Sequence, residues 1–217
     1  MEMKLIPVGD GAVSVIFGST IDPITNRQVH ALARRLHTQP PEGFLAAVPG
    51  YTTLLVQYDS LCLSSQALLD WIERENQAAS QVELPSPRLV EIPVRYGGSA
   101  GPDLDQVAAL HQMTTDEVIH RHAAPIYTVY LIGFLPGFAY LGGMDPLLAT
   151  PRLSSPRQSI PAGSVGIAGA QTGIYPLASP GGWQLIGRTN LTLFDPARTP
   201  PTLLTPGDEV RFIHVPD

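Results

Sequence analysis

Several things are scarce in this chain of 217 residues, and each shortage removes a class of protein. There is one cysteine, Cys62, so neither an internal disulfide nor a multi-cysteine zinc site can form. Flanked by Leu61 and Leu63, it reads as a small buried hydrophobe rather than a reactive thiol. No apolar run approaches the roughly 18 residues of a membrane span. The opening Met-Glu-Met-Lys has an acid early and no long apolar stretch, unlike a signal peptide. Together these features predict a cytoplasmic protein. Positive charge is short as well. Thirteen Lys and Arg against 19 Asp and Glu leave a net charge of −6, which opposes general binding to nucleic acid or anionic membranes. No G-x-x-x-x-G-K-[ST] loop is present, so no ATP site is predicted on this chain. The six histidines do not converge. His120 and His122, two apart on a predicted helix, point to different faces, and no metal site is expected.

Glycine and proline are plentiful, and they concentrate. Of the 20 glycines and 22 prolines, eleven and seven respectively lie between Gly133 and Arg188. Glycine serves positive φ or close backbone approach, and proline fixes φ in turns. A stretch this rich in both, yet also in Phe, Tyr, Leu and Ile, predicts short strands and tight turns lining a concave surface. Its only charges are Asp145, Arg152, Arg157 and Arg188. Three arginines against one aspartate suit a small anionic ligand. The same arginines would serve equally to tie down loop carbonyls, and the sequence leaves both readings standing.

Phe134, Phe138, Tyr140, Tyr175 and Trp183, with Arg157, Ser164, Gln171, Thr172 and Arg188, form the candidate substrate-binding set. Apolar walls with a few placed polar groups describe a ligand pocket. The competing reading puts the aromatics in a barrel interior. Ala162-Gly-Ser164-Val-Gly166 approximates a nucleophile elbow, but such an elbow needs a helix directly after the serine, and two more glycines come there instead. Ser164 therefore reads as a turn or ligand-binding residue. Carboxylates are too sparse here for a paired-acid mechanism, and no catalytic residue is assigned.

Taken in order, residues 4–8 and 12–17 predict a hairpin around Gly9-Asp10-Gly11. Asp22-Pro23 caps a helix to about Thr38. Strands at 44–48 and 52–58 come next, then a helix from Ser64 or Ser65 to about Ala79. Residues 81–88, with Pro85 and Pro87, read as a linker. Residues 1–85 thus form an α+β unit of ββαββα order, and 86–217 a mainly-β domain. The latter opens with strand 89–94, whose Pro93 suits an edge. Short helices at 103–111 and 115–123 succeed it, the second with a Thr114/Glu117 capping box. Strands at 126–132, 191–194 and 209–215 flank the central stretch, and the many short strands predict a closed or nearly closed barrel.

The run Gly133-Phe-Leu-Pro-Gly-Phe-Ala-Tyr-Leu-Gly-Gly143 resembles the signature of the family of KipI and the 5-oxoprolinase B subunit, also called allophanate hydrolase subunit 1. Pro156-Arg157, Ile160 to Gly169, Gln171 to Pro176, Ser179 to Trp183, Leu185 to Thr189, Leu193 to Pro196 and Pro206 to Asp208 match as well. Two positions depart: Asn190, where proline is expected, and Leu153, where a second arginine is common. The resemblance implies a cyclophilin-like barrel and a stand-alone B subunit of an ATP-dependent complex that opens 5-oxo-L-proline to L-glutamate. Its partners would be a KipA-like C subunit and an A subunit, with ATP on a partner and no cofactor on this chain. The KipI branch offers a second reading, an inhibitor of a histidine kinase. The carboxyltransferase region of urea carboxylase, which carries a related module, offers a third.

Overall fold

The computed structural model describes residues 3–79 and 86–216, so residues 81–85 of the predicted linker lie outside the described residues. The chain divides into two compact units, 1–86 and 87–217.

In the first unit, β1 (Lys4–Pro7) and β2 (Ala12–Ile16) form the hairpin, with Gly9 at φ +62° in the turn. Then come α1 (Pro23–Leu36), β3 (Phe44–Pro49), β4 (Thr53–Tyr58) and α2 (Ser65–Ala79). The antiparallel sheet runs β1-β2-β4-β3. Helix α1 begins as its sequence dictates. The Asp22 carboxylate accepts from the Ile24 and Thr25 amides, both at 2.9 Å, and Pro23 occupies a position whose N–H would have no helical partner. Period-2 alternation sends Val13, Val15, Leu54 and Val56 to one sheet face, where they pack with Val29, Leu32 and Leu36 of α1 and Leu68 and Ile72 of α2.

Cys62 departs from expectation. It is exposed, because Leu61-Cys62-Leu63 is a turn held by Asp59 rather than part of an element. Its thiol is nonetheless inert in character. A hydrogen bond to Asp59 at 3.5 Å, then the carboxylate's charge, push its pKa up.

The second unit comprises β5 (Leu89–Tyr96), α3 (Leu104–Leu110), α4 (Thr115–Ala123), β6 (Tyr127–Ile132), β7 (Ala139–Gly142), β8 (Arg157–Ile160), β9 (Ser164–Ala168), β10 (Gln171–Ile174), β11 (Ser179–Gly181), β12 (Gln184–Arg188) and β13 (Glu209–His214). Seven strands close into a barrel, ordered β10-β7-β6-β13-β5-β12-β9, while β8 and β11 pair apart from it. Strand β5 is therefore internal to the barrel, not an edge. Pro93 is accommodated because the paired register with β12 covers only Arg95 and Tyr96, leaving one strand neighbour, β13, at Pro93. Residues 191–194 are not a strand. Pairing there is confined to a bridge between Phe194 and Thr202, since Pro196, Pro200 and Pro201 remove the donors a longer ladder needs.

The barrel interior holds Ile92, Val94, Tyr127, Val129, Leu141, Val165, Ile167, Ile186, Val210 and Phe212. Helix α4, begun by the reciprocal Thr114/Glu117 capping box, contributes the fully buried His122. Tyr96 Oη lies 2.8 Å from His122 Nδ1, and His122 Nε2 lies 2.9 Å from Thr172 Oγ1. Thr172 donates to the Gly166 carbonyl at 3.0 Å, so it accepts from His122. The ring is then neutral with its proton on Nε2, and Tyr96 donates to Nδ1. Burial holds the histidine at a pKa of about 3.

Candidate functional site

Alternation along four neighbouring strands builds the site on the barrel's outer face. Where Ala139, Leu141, Val165, Ile167 and Ile174 point inward, the residues between them point out. The outward row crosses Tyr140, Gly173, Gly166 and Leu185, which are register partners in sequence across β7, β10, β9 and β12. Two glycines in the middle of that row leave a trough. A Cβ on Gly173 would stand 3.0 Å from Phe138 Cζ, from Trp183 Cζ3 and from the Ala139 carbonyl. Aromatic rings occupy the space the missing side chains vacate.

Those rings form a second hydrophobic cluster of Phe138, Tyr175, Trp183, Ile160, Ala168 and Leu185. Phe138 is central. It meets Trp183 at 5.4 Å, Tyr175 at 5.2 Å and Tyr140 at 4.9 Å between ring centroids, the first two near perpendicular, a favoured aromatic geometry. Phe134 closes one side, 5.5 Å from Phe138 at 87°, yet is 61% exposed and sits at φ +66°. Between these rings lies a cleft of about 220 Å³, also lined by Arg152, Pro156, Pro180, Gly181 and Gly182. Burial raises the Tyr140 pKa and pushes Tyr175 up to about 12, so both are neutral phenols at physiological pH.

All five aromatic candidates, Phe134, Phe138, Tyr140, Tyr175 and Trp183, meet here. The polar candidates do not line the cleft. Arg157 Nη2 donates to Asp103 at 2.6 Å, and Asp103 in turn accepts from the Leu185 amide, fastening the start of α3 to β12. Arg188 Nε donates to the Ala162 carbonyl at 3.0 Å. Ser164 is buried at the start of β9, and the strand runs on into the β9–β10 hairpin rather than the helix an elbow requires. Thr172 points into the barrel beside His122, and Gln171 opens β10 opposite Ala168. Arg152 is the charged lining residue that the candidate set missed. It was visible as one of three arginines in the stretch, but no local signal separates it from the other two.

Comparison with known proteins places this architecture. The family described as "Carboxyltransferase domain, subdomain C and D" matches residues 3–204. The 5-oxoprolinase B subunit of Bacillus subtilis (strain 168) is 48% identical, over 99% of this chain and 94% of the relative. That of Escherichia coli O157:H7 is 45% identical, over 95% and 93%. The chain belongs to the 5-oxoprolinase B-subunit family. Among solved structures, TTHA0988 aligns with a TM-score of 0.84 at 43% identity, over 94% of this chain. The chain spans 39% of that longer protein. PH0987 from Pyrococcus horikoshii aligns over 99% of this chain and 98% of its own, with a TM-score of 0.59 at 44% identity. The Kluyveromyces lactis urea amidolyase, 22% identical with a TM-score of 0.76, shares the fold.

Proposed function

We propose that the chain is the B subunit of an ATP-dependent 5-oxoprolinase, which opens 5-oxo-L-proline to L-glutamate. The observation that carries this reading is that three relatives named as the 5-oxoprolinase B subunit, 44–48% identical, match nearly end to end on both sides. A domain grafted into a different enzyme would align with only a fraction of each relative, as happens with the urea amidolyase of Lachancea kluyveri, of which this chain covers 13%.

The chemistry fits a non-autonomous subunit. A lactam carbonyl is a poor electrophile, so its hydrolysis needs activation by phosphorylation or a preorganised oxyanion site. In this reading ATP sits on a partner, in keeping with a sequence that carries no G-x-x-x-x-G-K-[ST] loop. The partners are a KipA-like C subunit and an A subunit, and the complex works in the cytoplasm. Among the described residues no helix is long and apolar enough to cross a membrane. In this reading the closed barrel is cyclophilin-like and forms a domain of its own, following an α+β N-terminal domain in sequence. The aromatic cleft is the surface this chain contributes to substrate handling.

The test is glutamate release from 5-oxoproline and ATP by the purified A and C subunits, with and without this chain. Activity only in the full set establishes an obligate subunit. Turnover by the A and C subunits alone, or by none of the combinations, rejects the reading. Inhibition of histidine-kinase autophosphorylation is then the next measurement.

A further inference from the structure

We propose that the aromatic cleft holds the small cyclic carboxylate substrate itself, and that Arg152 binds its carboxylate. The ligand's identity rests on the oxoprolinase reading; the site rests on geometry alone.

The arginines of the second unit are nearly all committed elsewhere. Arg121 pairs with Asp145 at 2.8 Å, Arg157 with Asp103, and Arg188 with the Ala162 carbonyl. Arg152 has no hydrogen-bond or ion-pair partner among the described residues, yet it lines the cleft. Its backbone is anything but loose. Thr150 and Gly169 exchange backbone bonds at 3.1 and 2.7 Å, the Pro151 carbonyl accepts from Gln184 Nε2 at 3.1 Å, and the Leu153 amide donates to Gly182 at 2.7 Å. Arg152 is exposed, its backbone is pinned from both sides and its own donors are uncommitted, so the guanidinium is available to an anion at the rim of the cleft.

Phe134 points the same way. A bulky residue at positive φ is strained, and such strain survives where surrounding structure enforces it, typically at ligand clamps. Here the strain keeps a largely exposed ring standing over the cleft, 6.4 Å from Tyr175 and perpendicular to it. A residue serving only the core would be turned inward. Tyr175 adds a polar contact. It lines the cleft as a neutral phenol whose O–H can donate to an acceptor on the ligand.

Size sets the ligand class. At about 220 Å³ the cleft falls below the ~300–1,000 Å³ of drug-sized pockets, which suits a single small ring and not a nucleotide or a peptide segment. Aromatic walls take the flat apolar faces of such a ring, and one rim arginine takes its charge. A five-membered lactam carrying a carboxylate has both features.

The experiment combines calorimetric binding to the full chain with kinetics of the reconstituted complex. Wild-type chain is expected to bind 5-oxo-L-proline at least tenfold more tightly than 2-pyrrolidinone, the same ring without the carboxylate. Arg152→Ala abolishes that preference, and in the complex raises KM for 5-oxoproline at least tenfold while Arg152→Lys restores part of it. Arg188→Ala leaves the preference intact. If the wild-type complex releases glutamate but Arg152→Ala changes neither the preference nor KM, the site is overturned and the oxoprolinase reading stands. A fall in kcat alone, accompanied by loss of co-elution with the partner proteins, also overturns it by making Arg152 an interface residue. If no combination turns over 5-oxoproline yet the chain binds it with this arginine dependence, the oxoprolinase reading fails and the carboxylate site stands.

Discussion

His122 makes a stability switch whose direction and size come from its burial. Folded, the imidazole is fully enclosed, neutral, and bonded at both nitrogens, with a pKa of about 3. Unfolded, it returns to about 6.5. Between those values the unfolded chain binds one proton more than the folded one, so stability falls as pH drops through that window and is fully present above it. The slope is about 1.4 kcal/mol per pH unit once pH is well below 6.5. Going from pH 8 to pH 5 therefore removes about 2 kcal/mol through this residue, a substantial part of the ~5–15 kcal/mol that separates folded from unfolded domains. Urea melts of the wild type and of His122→Gln, at both pH values, isolate the term. Glutamine offers one donor and one acceptor but does not titrate, and every carboxylate is common to both proteins. The variant is less stable at pH 8, and the gap should close by about 2 kcal/mol at pH 5. Parallel pH profiles would refute the claim that a buried neutral histidine sits in this barrel.

Other positions give further tests. Asp103 is buried and accepts both Arg157 and the Leu185 amide. Asp103→Asn strands a partly buried guanidinium, so it should cost about 2–3 kcal/mol, read as a melting temperature lower by roughly 5–10 °C. At Gly181 an added Cβ would stand 2.5 Å from Tyr175 Oη and 2.7 Å from Ile160 Cδ1. Gly181→Ala should cost about 1–3 kcal/mol in urea melts and disturb the cleft by displacing Tyr175. Thr114→Ala removes the side-chain cap of α4 and half of its capping box, for about 1 kcal/mol and a melting shift of ~2–4 °C.

Local chemistry made most elements legible. Asp22-Pro23 and Thr114/Glu117 mark helix starts through bonds that span two or three residues, and both bonds are present. The barrel was foreshadowed by short strands between Gly/Pro turns, although closure of seven strands is a long-range property. Failures came where a local pattern was overruled. Leu191 to Phe194 alternates well enough for a strand, but Pro196 just beyond it and Pro200 and Pro201 in the opposing segment leave only one bridge. Cys62 has apolar neighbours in sequence, but the turn at Asp59 leaves the thiol and Leu61 exposed while only Leu63 packs against the core.

The arginines show why a site is harder to read than a fold. Arg152, Arg157 and Arg188 were equivalent as sequence: each a lone cation in an apolar, glycine-rich run. What separates them is a partner remote in the chain. Asp103 lies 54 residues before Arg157 and neutralises it, and the Ala162 carbonyl, 26 residues before Arg188, occupies that residue's donor. The aromatic residues needed no such partner to be gathered, because Gly166 and Gly173, register partners across β9 and β10, clear the outer face of the barrel, and Gly181 on β11 leaves room beside Tyr175. These glycines are thus a sequence-visible record of the cleft's walls, whereas the charge at its rim is defined by elimination, once the partners of the other two arginines in the stretch are known. A Gly166→Val or Gly173→Val change should accordingly fill the trough and displace Phe138 and Trp183 while sparing the interior-facing residues. That outcome would show as altered Trp183 fluorescence in a protein that retains its barrel by circular dichroism. Loss of the barrel instead would mean that these glycines serve strand pairing rather than the cleft.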